Sequence, residues 1–335
     1  MDDNPGQNKI KYGSLVLMIF SAIFGFSNSL TAFYQMGYSS VIWYILAALL
    51  FFLPSALMFA EYGASFREAK GGIYSWLRGS TNEKFAFIGT FIWLASWIIW
   101  LVSSTNFFIV SVSTMLFGSD KTQSWHFWHF SSTEVVGMLG ALFILVVTFA
   151  ASRGVDKIAK VASIGGIFAF AISILFSLLS IVVLIMHHGV LAESISGTNN
   201  LLRSPNASFQ SPIAIISFLV YAIFAFAGLE TTSGVIDSVD RPEKTYPKAL
   251  VTAMLLMTSL YIVMIVMCGF STNWSHVLGK SNVNLANCEY VIINNLGVEI
   301  GKAFGMSASG AQGIGLAFAH FAGLTDVLAG IGGAF

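Results

Sequence analysis

The sequence predicts an all-α protein that crosses a lipid bilayer many times. Of its 335 residues 56% are hydrophobic and only 10% are charged, against about 45–50% and about 25% in an ordinary soluble domain. Apolar runs repeatedly exceed the roughly 18 to 20 residues that a helix needs to cross about 30 Å of hydrocarbon. Basic residues are shared unequally between alternate connections, as they are when one side of the membrane is cytoplasmic. Eight spans follow, at about 12–33, 41–60, 85–117, 135–151, 161–186, 212–236, 249–270 and 311–335.

The first span begins "NKIKYGSLVLMIFSAIFGFSNSL", basic and then apolar in the manner of a signal peptide. Its apolar part is too long for one and seven more such segments follow, so it reads as a retained helix. With the N-terminus cytoplasmic, the inner segments hold Lys9, Lys11, Arg67, Lys70, Arg78, Lys84, Arg153, Lys157, Lys160, Arg241, Lys244 and Lys248, twelve of the sixteen basic residues. The external segments hold Lys121, Arg203, Lys280 and Lys302. Trp125, Trp128 and Trp274 fall near external ends, where amphipathic rings belong. Residues 187–210 read as an external connector carrying the sequon Asn206–Ala207–Ser208, and 271–310 as a further external segment.

Composition also excludes some functions. A net charge of zero leaves no basic surplus for nucleic acid, so none is expected as a partner. Cys268 and Cys288 read as inert thiols. No Ser/His/Asp or metal-ligand spacing supports hydrolytic chemistry. A haem- or quinone-binding redox subunit stays an alternative, but His126, His129, His187, His188 and His276 lie outside the spans or at their edges, and only His320 is within one.

Spans one and six each carry a glycine-centred polar interruption. In "AIFGFSNSLTAF" Gly25, Ser27, Asn28 and Ser29 sit mid-run; in "FAFAGLETTSG" Gly228, Glu230, Thr231, Thr232 and Ser233 do the same. Backbone groups freed inside a membrane need protein, water or a ligand to satisfy them. An offset of five spans makes the two helices antiparallel, which is what an inverted repeat predicts, and paired interruptions point to a carrier's substrate site. The competing reading is close helix packing by glycine, with the small hydroxyls bonded to their own helix.

These residues resemble a family. "FAFAGLETTSGVIDSVDRPEKTYPKAL", 224–250, is similar to the sixth helix and following loop of the amino acid/polyamine/organocation (APC) carriers, with their Gly-x-Glu break. "AEYGASFREAKGGIYSWL", 60–77, resembles a cytoplasmic loop of that family and "DKIAKVASIGG", 156–166, its entry into helix five; the glutamate/γ-aminobutyrate antiporter branch is nearest. The resemblance implies a LeuT-like inverted-repeat fold of about twelve helices in a single transporter domain. Residues 1–187 would be the first repeat and 211–335 an incomplete second one, so a C-terminally truncated chain is expected.

On the same basis the substrate-binding candidates are Gly25, Phe26, Ser27, Ser96, Trp100, Phe224 and Gly228. The freed backbone ends would take a substrate's carboxylate and amino groups, and Phe224 would close over it. Glu230 and Asp326 are the candidates for gating and proton coupling, because a carboxyl inside a span is expensive unless it is paired or used. Departures are equally definite: Gly330 stands where the family often has an aromatic, and span five has no embedded lysine. The expectation is a secondary amino acid transporter, an antiporter or proton-coupled permease of the bacterial inner membrane. Its expected partners are an amino acid or related amine, protons and the bilayer, with no cofactor, and a homo-oligomer stays open. A non-transporting remnant or interaction module is the alternative.

Overall fold

The computed structural model describes residues 9–66, 72–152, 155–195, 199–230, 236 and 238–334. They form α1 (Tyr12–Ile23), α2 (Phe26–Met36), α3 (Ser40–Ala47), α4 (Leu53–Ser65), α5 (Gly72–Ser80), α6 (Glu83–Phe117), α7 (Ser132–Ala151), α8 (Val155–Met186), α9 (Asn199–Leu202), α10 (Pro212–Phe224), α11 (Pro242–Ser271), α12 (Cys288–Ala303) and α13 (Ala308–Ala334). Each of the eight expected spans meets helix. Arg67, Lys70, Arg153, Thr231, Thr232 and Ser233 lie outside the described residues.

Among the described residues, six helical runs are long and apolar enough to cross a membrane: 26–65, 83–117, 132–150, 167–186, 242–271 and 308–331. The first would be about 60 Å long as one straight helix, twice the hydrocarbon thickness. It is divided by a 3₁₀ turn at Gly37–Ser39, where Gly37 takes φ +57°, so it serves two spans. The two apolar helices that are too short to cross are Tyr12–Ile23 and Pro212–Phe224. Both stop at the interruptions read from the sequence. Local signals set other ends: Ser131 and Glu134 form a reciprocal capping box at the start of α7, and proline opens α10 and α11, where a missing N–H costs nothing.

The chain folds into two compact units that interleave along the sequence. The first comprises 1–24, 43–98 and 219–260; the second comprises 25–42, 99–218 and 261–335. In the first unit Trp76 is fully buried, stacked on Tyr62 at 5.7 Å and tilted against Phe59 at 5.9 Å. Gly63 is kept small by Ile236 and Tyr246, whose side chains a Cβ would strike at 2.6 and 2.8 Å. A β-bridge ties Ile10 to the loop before α11, through Ile10 N–H to the Ser238 carbonyl at 2.8 Å and Asp240 N–H to the Ile10 carbonyl at 3.0 Å.

The second unit is built around α12, an element the sequence reading leaves as external segment. α12 is 16 residues long and ten of them are buried, packed against α13, α8 and α2. Its hydropathy is diluted by Glu289, Asn294, Asn295, Glu299 and Lys302, which hides it from a search for spans. Glycine brings it close to α13: a Cβ on Gly301 would lie 2.6 Å from Ala311 Cα, and one on Gly297 2.9 Å from Gly315 Cα. This Gly-x-x-x-Gly spacing is a common way to bring two helix backbones together in a membrane.

Candidate functional site

The break in the first span divides between the units, α1 ending in one and α2 beginning in the other. At α2 the backbone of Gly25 is extended, with φ −114° and ψ 121°. Its N–H donates to the Tyr261 hydroxyl oxygen at 3.2 Å, and the Asn28 side-chain amide donates to the same oxygen at 3.3 Å. Tyr261 is fully buried. Phe26 is buried and sets its ring edge-on to Phe176 at 5.9 Å. Phe26 and Ser27 occupy the first turn of α2, so their N–H groups have no acceptor within the helix. Ser29 is fully buried and its hydroxyl has no hydrogen-bond partner among the described residues.

In the first unit α10 ends at Phe224 and tightens into i−3 bonds, Phe226 N–H to Ile223 at 3.0 Å and Ala227 N–H to Phe224 at 2.9 Å. Gly228 then takes φ +119°, a conformation that side chains rarely adopt. A Cβ there would also meet Ile23, the last residue of α1, at 3.2 Å. Phe224 is half exposed, whereas Phe226 is buried and stacked on Phe52 at 4.9 Å. Glu230 accepts a hydrogen bond from the Trp93 indole at 3.3 Å. Ser96 is exposed and its hydroxyl bonds back to the Trp93 carbonyl at 2.7 Å.

The named residues therefore fall into two sets. Ser96, Phe224, Gly228 and Glu230 belong to the first unit; Gly25, Phe26, Ser27, Trp100 and Asp326 belong to the second. At Gly330 a Cβ would lie 2.9 Å from the Phe108 ring, which is itself stacked on Phe143 at 4.0 Å. An aromatic from α6 thus lies against Gly330. His320 ties α13 to α6, its Nδ1 lying 2.8 Å from the Met115 carbonyl. A carbonyl only accepts, so Nδ1 carries the proton. The second unit also opens a cleft of about 600 Å³, whose lining includes Tyr34, Ser103, Asn106, Asn206 and Asn284 and has no charged side chain.

The amino acid permease family model matches residues 10–333, nearly the whole chain. The chain belongs to this family. The inner membrane transporter YjeM of Escherichia coli strain K12 is 43% identical over 98% of the chain. An aspartate/glutamate permease, AcaP, of Lactococcus lactis strain MG1363 is 22% identical over 72% of this chain and 48% of its own length. A glutamate/gamma-aminobutyrate antiporter of the same strain is 24% identical over 66% of this chain and 41% of its own. The chain spans about 65% of the length of the YjeM relatives. The relatives it matches are named as transporters, a permease and antiporters.

Sequence reasoning missed several residues of these sites. Trp93 was one tryptophan among several in "WLASWIIW". Tyr261 is a lone hydroxyl in an apolar run, a weak signal that became meaningful only beside Gly25. Glu289 and Tyr290 sat in a stretch read as external segment.

Proposed function

We propose that the chain belongs to a secondary active carrier for amino acids or related amines, an antiporter or proton-coupled permease working by alternating access. The observation that supports this most is the pair of interrupted helices, each ending in backbone groups that its own helix does not use. At α2 these are the first-turn N–H groups of Phe26 and Ser27, with about half a positive charge from the helix, suited to a carboxylate. The unpartnered Ser29 hydroxyl adds a further polar group there. At the other break, Gly228 opens the backbone and Glu230 is held by one indole donor, leaving acceptor capacity for an amine or a proton.

Phe224 closing over substrate and Trp100 lining its path belong to this reading, as do Glu230 and Asp326 in gating and proton exchange. So do the inverted repeats, the inner-membrane location and the cytoplasmic N-terminus. The names of the relatives supply the panel to try: aspartate, glutamate and γ-aminobutyrate. The test is counterflow of each labelled compound into preloaded proteoliposomes containing the full-length protein. Exchange of at least one is expected; absence of exchange across amino acids and amines would overturn the reading. A periplasmic reporter active on a fusion at residue 120, and silent at residue 82, is the result expected for the orientation.

A further inference from the structure

Four consecutive polar residues, Ser103, Ser104, Thr105 and Asn106, interrupt the apolar run of α6. Two of them are satisfied by their own helix: the Ser104 hydroxyl donates to the Leu101 carbonyl at 2.9 Å, and the Thr105 hydroxyl to the Val102 carbonyl at 2.7 Å. Thr105 also packs on α7, where a Cβ on Gly140 would meet its hydroxyl oxygen at 2.8 Å. Ser103 and Asn106 are different. Both are exposed, and neither side chain has a hydrogen-bond partner among the described residues. Three positions apart, they share one face of the helix, and both line the cleft of about 600 Å³ in the second unit. An amide turned toward lipid is costly, because hydrocarbon offers it no partner. A cleft that admits water or solute is the environment these two side chains fit.

The other walls of the cleft are held by bonds of their own. The Tyr34 hydroxyl donates to the Val283 carbonyl at 3.1 Å, and the Tyr34 carbonyl accepts from the Trp274 indole at 2.8 Å and the Asn206 amide at 3.5 Å. The Ser204 hydroxyl donates to the next carbonyl, that of Gln35, at 2.7 Å. The end of α2 is thereby tied to the segments 203–210 and 274–286. Within these walls the side-chain oxygens of Asn206 and Asn284 already accept from the Ser208 and Ala286 N–H groups, at 3.1 and 2.8 Å. The Asn284 NH₂ group and the Ser208 hydroxyl have no partner among the described residues. Fixed walls thus present four uncommitted polar groups.

None of the described lining residues is charged. The basic residues of the two segments, Arg203 and Lys280, do not line the cleft, and Arg203 is bonded to the Gln210 side chain at 2.7 Å. Amides and hydroxyls offer donors and acceptors together but no fixed charge. Such a lining can hold an ammonium on its oxygens and a carboxylate on its N–H and O–H groups at once. A solute with one charge in excess would enter low-dielectric walls with nothing to compensate it.

We propose that this cleft is a binding site for small solutes of zero net charge, zwitterionic amino acids above all, with the Ser103 hydroxyl and the Asn106 amide as its selective contacts. The site deepens the carrier reading, on which its use as an entry to the transport path rests, by naming the charge class of the substrate. γ-Aminobutyrate and glutamine fit it; aspartate, glutamate and arginine do not. Tyr34 places it more than two helical turns along α2 from the Gly25 break.

Substituted-cysteine protection in the purified full-length protein tests this. Cys268 and Cys288 are buried, so the nearly isosteric Ser103→Cys adds an accessible thiol for a water-soluble methanethiosulfonate reagent, with background labelling read from the unsubstituted protein. γ-Aminobutyrate or glutamine at about ten times its Kd should slow labelling about tenfold, since only unoccupied protein reacts. Glutamate and arginine at the same concentration should leave the rate unchanged. Adding Asn106→Asp puts a negative charge in the lining and should reverse the preference, so that arginine protects and glutamine protects less. Protection by all charge classes alike, by a charged solute alone, or by none overturns the site. So does a folded Asn106→Asp variant with the original preference; if that variant does not fold, the Ser103→Cys pattern decides alone. Counterflow separates the two readings: protection without exchange keeps the site and removes the carrier, and exchange without protection does the reverse.

Discussion

The two helix breaks look alike in sequence, a glycine followed by small polar residues, but the structure builds them differently. At Gly25 the backbone is ordinary extended chain, and the break is sealed from outside by Tyr261, which receives the freed N–H and the Asn28 amide together. At Gly228 the backbone takes a positive φ, and Trp93 ties the Glu230 side chain two residues on. One glycine is extended and donates to a distant hydroxyl; the other takes a backbone conformation that side chains rarely adopt. A shared sequence signature therefore does not imply a shared mechanism of opening the helix.

The largest effect expected is at the first break. Tyr261→Phe takes away the acceptor shared by the Gly25 N–H and the Asn28 amide, a loss of about 2–6 kcal/mol at about 1–3 kcal/mol per stranded group. The midpoint of thermal unfolding in detergent reads it. Gly228→Ala comes next at about 1–3 kcal/mol, the usual scale of a side chain forced into a sparsely populated backbone region, with the Ile23 contact adding to it. Gly25→Ala is expected to lose about 1 kcal/mol or less, since its backbone suits any residue and only the Asn28 side chain, 2.9 Å from the new Cβ, has to move. If Gly25→Ala proves as damaging as Gly228→Ala, the contrast between the breaks collapses. Trp93→Phe is expected to have the smallest effect, about 0.6 kcal/mol for a hydrogen bond within a membrane protein. Its sharper readout is transport: the variant should alter the pH dependence of counterflow while folding stays intact.

Much of this was legible because it is local. The eight spans are long apolar runs, and each of them meets helix. Both breaks were visible because a bilayer offers no water to a freed backbone group, so glycine among hydroxyls in mid-span has few alternative meanings. α12 was not legible, since a helix buried by its neighbours has no need of the uniform apolarity that lipid imposes. Its two carboxylates and its lysine read as solvent-facing until α13, α8 and α2 were seen around it.

The sequence by itself determined the membrane class, the places where helices one and six stop, and, through the Gly-Leu-Glu segment and its following loop, the family. These follow from nearest-neighbour chemistry: hydropathy, glycine and charge act over one or two helical turns. Only the tertiary structure decided that Tyr261 meets Gly25 across 236 positions and that Trp93 meets Glu230 across 137. It alone decided that Tyr290 meets Ser111 across 179 positions. Hydrogen bonds are satisfied by whichever group packing brings within about 3 Å, and no local pattern in the chain encodes that choice.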